Sequence, residues 1–213
     1  MAPDRPILRD WLRAECARLG YVWFDQGVCN LNAIAVRRLP GTPDAFDDVL
    51  TATWREPDGS WRTAAWSCTT DPGLYWLRNP SRVEGTAVLC PGQYRGAWVI
   101  GRHHAHYPAL TQTRSVCVWR DRNRNGVVNR EGPRHSGYYG INVHAASLDP
   151  FHDWDDIPPR ASVGRWSAGC LVLPSSHDYR QWWSWVVETT ARYGLHVTLA
   201  LLEHEGAVPG APL

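Results

Sequence analysis

Cys170 closes the tetrapeptide Ser167-Ala168-Gly169-Cys170, and His144 stands upstream of it in Gly140-Ile141-Asn142-Val143-His144. A cysteine to which the fold can bring a histidine is a nucleophile with its base. The thiolate attacks, and a nearby imidazole raises its population at neutral pH. Gly169 lets the chain turn sharply, so that main-chain N–H groups around Gly169 and Cys170 can face a developing oxyanion. The Ser167 hydroxyl can tie that turn together or orient the imidazole. On this reading Cys170 is the most reactive of the six thiols. The competing reading is an inert buried thiol, because cysteine is among the most buried residue types. The Ser-x-Gly-Cys setting, with His144 on a strand-like segment just before it, favours the nucleophile.

His144 together with Ser167, Gly169 and Cys170 resembles the catalytic motif of the L,D-transpeptidases, the YkuD-like catalytic domain. At motif level the resemblance covers residues 138–173. A looser similarity reaches back to about residue 69, through Thr69-Thr70-Asp71-Pro72-Gly73 and Pro91-Gly92-Gln93-Tyr94-Arg95-Gly96-Ala97-Trp98. It looks like a divergent branch found in bacterial and phage proteins. The chain departs from the family at three places. The histidine-to-cysteine interval is lengthened by what reads as an inserted loop, Leu148 to Arg160. Ala168 stands where the family has a second histidine. Leu171-Val172 follow the cysteine, where the family has an arginine two positions on.

The resemblance implies a β-sandwich-like catalytic core and acyl transfer through a thioester on Cys170, with His144 as base. The substrate it implies is a peptidoglycan stem peptide, cut at the L-centre of its third residue with D-alanine leaving. The acceptor is a second stem amine or water, and no metal or organic cofactor is needed. Trp166 beside the motif, Asn142 on the cleft side of its strand, and Tyr139 are the candidate substrate contacts. Two other readings stand beside this one. A papain-like wall peptidase places Cys before His, the reverse of the order here. A wall-binding or virion module would keep the fold without the chemistry.

Composition narrows the field. A chain of 213 residues with 44% hydrophobic residues has material for a core. A net charge of +1 gives no argument for nucleic acid as a partner. All 22 basic residues are arginine, so a Schiff-base lysine or a P-loop lysine is excluded. The thirteen tryptophans read mainly as filling of a β-rich core, with Trp166 the groove candidate. No two of the six cysteines have CxxC spacing, and Cys117 alternates with valines as a buried strand residue. The N-terminus lacks the apolar run of a signal, and no stretch of about 18 apolar residues occurs, so the expectation is cytoplasmic synthesis without membrane insertion. Action at the wall would then follow lysis or another export route.

The elements that must position the site are mainly strands, making the expected class mainly β (α+β). Residues 7–19 have a helical apolar stripe, Leu8, Trp11, Leu12, Cys16 and Leu19, ended by Gly20. Residues 51–54 and 61–66 read as a hairpin across Asp58-Gly59. Residues 115–119 are the clearest strand. Asp121-Arg122-Asn123-Arg124-Asn125-Gly126 imitates a calcium loop, but Gly132 occupies the glutamate position and two arginines oppose a dication, so it reads as a turn. His103, His104 and His106 lack carboxylate or thiol partners at ligand spacing and read as an exposed loop near the cleft. Residues 176–193 form a second helix capped by Ser175 or Ser176, followed by an alternating strand at Leu195, Val197, Leu199 and Leu201. The expected organisation is an extension over 1–68, a catalytic domain over 69–205 and a loose tail over 206–213. Both helices are expected to pack on the sheets.

Overall fold

The computed structural model describes residues 4–152 and 158–211. The chain is mainly β with three helices among the described residues. Helix α1 (Pro6–Arg18) has proline in its first turn, where no intrahelical N–H is needed. Its Leu8, Leu12 and Cys16, spaced four apart, form one buried stripe. Strands β1 (Asn32–Leu39), β2 (Asp48–Arg55) and β3 (Trp61–Cys68) follow. The β2–β3 hairpin pairs Thr51 with Ala65 and Trp54 with Arg62, as the Asp58-Gly59 turn predicts. After the short helix α2 (Leu74–Arg78) come β4 (Thr86–Leu89), β5 (Gly92–His103), β6 (Tyr107–Gln112), β7 (Val116–Asp121), β8 (His135–Gly137), β9 (Val143–Ala145) and β10 (Leu171–Leu173). Helix α3 (Ser176–Tyr193) begins at Ser175, whose side chain accepts the Asp178 N–H at 3.1 Å, and β11 (His196–Glu205) ends the fold.

Eight strands form one sheet in the order β10-β9-β6-β5-β11-β1-β2-β3; β4, β7 and β8 form a second. Thr69, directly after β3, bridges Val172 of β10 through two hydrogen bonds of 2.9 and 3.0 Å. The two ends of the large sheet therefore meet, and they meet two residues from Cys170. One face of the sheet, with Ile34, Val36, Val49, Ala200 and Leu202, is covered by α1. The other, with Ala35, Leu50, Leu199 and Leu201, encloses Tyr179, Trp182, Trp183 and Val186 of α3 and the inward residues of the small sheet. Alternation along the strands produces this division, since neighbours such as Ala35 and Val36 point to opposite layers.

Three expectations change. Residues 1–68 are not a separate extension in the sheet: β1 pairs in parallel with β11, and together they sit in its middle. The tail is not loose through residue 211. Val208 is buried in the layer around α1, and Arg5 donates to the Gly210 carbonyl at 3.0 Å. Cys117 is only half-buried, because its side chain lies on the outer side of the small sheet beside Cys90, with sulfurs 3.3 Å apart. The proposed inserted loop falls partly on residues 153–157, which lie outside the described residues.

Candidate active site

Four consecutive strands of the sheet, β5, β6, β9 and β10, carry the site. In β9, Ile141 (just before it) and Val143 enter the core, which turns Asn142 and His144 to the other face. Strand β10 pairs with β9 in parallel, Leu171 opposite Val143 and Val172 opposite His144. Cys170 therefore begins its strand beside Asn142. The Asn142 N–H points at Cys170 Sγ from 3.4 Å, and the thiol donates to the Gly140 carbonyl at 3.4 Å. Gln112 holds this approach in place: its Oε1 accepts the N–H groups of Tyr139 and Ile141, both at 3.0 Å.

The turn before Cys170 is built by Ser167 and Gly169. The fully buried Ser167 hydroxyl donates to the Cys170 carbonyl at 2.8 Å and accepts the Gly169 N–H at 3.1 Å. Ser167 thus ties the turn and does not touch the imidazole. Gly169 has φ +120°, and a Cβ there would lie 2.3 Å from the Ala87 carbonyl oxygen, so only glycine fits. Because its N–H is taken by Ser167, Gly169 is not the vacant oxyanion donor the sequence suggests. Of that pair, the Cys170 N–H is left for the role.

His144 is fully buried. Its Nδ1 lies 2.9 Å from the Ala145 carbonyl, which can only accept, so Nδ1 carries the proton of the neutral ring. Tyr107 donates to the same carbonyl at 3.0 Å and lies 3.1 Å from Nδ1. Nε2 then carries the lone pair, and it is buried without a hydrogen-bond partner among the described residues. His144 and Cys170 line one cavity of about 240 Å³, together with His103, Tyr107, Trp76 and Trp166.

The electrostatics correct one expectation. Burial pushes the Cys170 thiol up to about 11, against a smaller downward pull from the Asn142 N–H. Burial pulls His144 down to about 4, despite its bond to Ala145. Both shifts favour the neutral thiol and the neutral imidazole over a thiolate–imidazolium pair.

The predicted substrate contacts separate. Trp166 lines the cavity and packs against the cluster of Ala146, Cys170 and Val172, with the Arg160 guanidinium 5.5 Å from its ring. Asn142 is committed internally, between the Gln112 N–H at 3.1 Å and His103 Nδ1 at 3.2 Å. Tyr139 lies in an adjoining cleft of about 620 Å³, beneath Arg120 at 4.6 Å, and that cleft shares only Trp76 and Ala168 with the cavity. His103 leaves the exposed group expected for residues 103–106. It is the last residue of β5, paired with Tyr107, half-buried and stacked on His144, while His104 and His106 stay exposed in the turn. Among the described residues, no group of three or more His, Cys, Asp or Glu side chains is placed to hold a metal ion. In the 121–131 loop, Asn123, Asn125 and Asn129 each accept a main-chain N–H two residues on, which is turn geometry.

His103, Tyr107, Trp76 and Gln112 are site residues that motif spacing does not reveal, because each comes from a distant strand or helix. No protein-family model, curated protein or solved structure matches the chain.

Proposed function

We propose that this protein is a cysteine acyltransferase or peptidase of the L,D-transpeptidase type, acting on peptidoglycan stem peptides. The observation that carries the reading is that His144 and Cys170 line one cavity, with the His144 Nδ1–H fixed on Ala145 and its Nε2 left without a hydrogen-bond partner among the described residues. A neutral imidazole with a free lone pair is suited to take a proton. Cys170 attacks the peptide carbonyl while its proton moves to His144 Nε2. The tetrahedral oxyanion forms against the Cys170 N–H. His144 then returns the proton to the leaving amine, leaving a thioester that an amine or water resolves. A closed mixed sheet with the cysteine at a strand start, beside the histidine strand, is compatible with the core that the motif resemblance implies.

One observation favours the non-enzymatic alternative: Cys170 is buried and its thiol is raised, as in an inert core cysteine. Product analysis separates the two. Purified tetrapeptide muropeptides incubated with the protein should release D-alanine and yield a trimmed or cross-linked stem by mass spectrometry. Unchanged muropeptides over a full range of stem types would favour the wall-binding or virion module.

A further inference from the structure

The chemistry above assigns nothing to His103. Its ring stacks on that of His144, with centroids 3.8 Å apart and planes 21° apart. Its tautomer is set by a chain of bonds that begins at the main chain. The Gln112 N–H can only donate, and it donates to Asn142 Oδ1 at 3.1 Å. The Asn142 amide nitrogen therefore faces His103 Nδ1, 3.2 Å away, and must be the donor there. Neutral His103 accordingly holds its proton on Nε2. His144 has the opposite tautomer, with Nδ1–H on Ala145 and a bare Nε2. The two stacked rings, of opposite tautomer, both line the cavity that Cys170 lines. Burial, assisted by the neighbouring histidines 144, 104 and 106, pulls His103 down to about 3, so it stays a neutral donor. The Gly169 N–H, meanwhile, is occupied by Ser167.

We propose that His103 is a further functional residue of this site, donating a hydrogen bond from Nε2–H to the carbonyl oxygen of the bound acyl group, with Asn142 as the positioning residue that fixes its tautomer. The role rests on the acyl-transfer reading. His103 keeps its proton throughout, so it adds charge stabilisation and no bond change. Loss of one such donor typically lowers kcat by about 10²–10³.

The test has a structural and a kinetic half. In the histidine-15N-labelled full chain near neutral pH, His103 should show Nε2–H and His144 Nδ1–H, with His103→Gln identifying the first signal by its disappearance. Asn142→Asp offers only acceptors and should flip His103 to Nδ1–H. With a muropeptide substrate, His103→Phe keeps the ring and removes the donor, so kcat should fall about 10²–10³ with KM little changed. His103→Gln, which restores an N–H near Nε2, should recover most of it, and Asn142→Asp should behave like His103→Phe. Should Phe fail to fold, the Asp variant carries the kinetic half. An Nδ1–H tautomer in the wild type, or equal rates for the Phe and Gln variants, overturns this inference while leaving acyl transfer intact. Correct tautomers without any turnover would instead overturn the acyl-transfer reading and the role built on it.

Discussion

Burial acts in opposite ways on two polar groups of the described residues, the surroundings of Arg37 and the Cys170–His144 pair. Arg37 of β1 is fully buried, yet every side of its guanidinium is met. Nε faces Thr70 Oγ1 at 2.9 Å and Asp71 at 3.1 Å, Nη1 reaches the Leu89 carbonyl and Glu203 at 3.0 Å each, and Nη2 reaches the Thr70 carbonyl at 3.0 Å. Arg130 adds a second cation on Asp71. Burial alone would push Arg37 down, but Asp71, Asp48 and Glu203 together hold it above its ordinary value. Cys170 and His144 have no such partners, and burial leaves both neutral. The segment Thr69–Asp71 joins the clusters: Thr70 and Asp71 serve Arg37, and Thr69 bridges Val172 beside the cysteine. Paired burial makes a brace, whereas unpaired burial leaves groups with protons to exchange.

The sharpest way to break this contrast is Arg37→Met. It removes the buried cation that faces the partly exposed Asp71 and Glu203 and the buried Asp48, and should cost about 3–5 kcal/mol, seen as a large drop in the urea midpoint and loss of activity with the fold. A midpoint near wild type would mean that the brace is not structural. The opposite pattern is expected at the site. Cys170→Ala should abolish turnover, and His144→Asn, which keeps an N–H for Ala145 but lacks Nε2, should lower it by about 10²–10⁴. Both should unfold close to the wild-type midpoint. A variant that loses stability as much as Arg37→Met would move that residue to the brace.

pH sharpens the comparison further. His144 and His103 are held near 4 and 3, below the ordinary histidine value of 6.5. As pH falls from about 6.5 toward 4, the unfolded chain takes up protons that the folded chain refuses, so stability should fall. Asp48, raised by burial and by Asp71 to about 6, works the other way: its contribution weakens as pH rises from about 4 to 6, which softens the slope. Urea midpoints at several pH values should show acid loss in the wild type and a shallower loss in His144→Asn. The rate should follow the same neutral pair, with kcat/KM showing no inflection from these groups between about 4 and about 11. A narrow bell near neutrality would indicate a standing thiolate–imidazolium pair. The smallest effect expected is from chelators, which should leave turnover unchanged.

Much of the scaffold was legible because it follows local rules. The helix of residues 176–193 with a cap at Ser175 or Ser176, the Asp58-Gly59 hairpin and the setting of Asn142 and His144 on the face away from Ile141 and Val143 all follow from periodicity and turn chemistry. Long-range pairing was not legible. Nothing local tells β11 to insert between β5 and β1, or Thr69 to close the sheet on Val172. The same limit explains the site. Ser167, Gly169, Cys170 and His144 announce themselves by type and spacing. His103 reaches them only because the β5–β6 hairpin stands next to β9, and a half-buried histidine looks in sequence like its exposed neighbours His104 and His106. The direction of the shifts was hidden too, since a histidine near a cysteine suggests a thiolate, whereas the burial of both groups favours their neutral forms.

In the proposed reaction Cys170 forms a bond to substrate while its proton passes to His144. Intact-protein mass spectrometry after rapid mixing with a tetrapeptide muropeptide, followed by peptide mapping, detects that bond. One transient adduct is expected, equal to the stem minus D-alanine, on the peptide containing Cys170, absent in Cys170→Ala and slowed in His144→Asn. D-alanine release that continues unchanged in Cys170→Ala, or an adduct mapped to another residue, would contradict it.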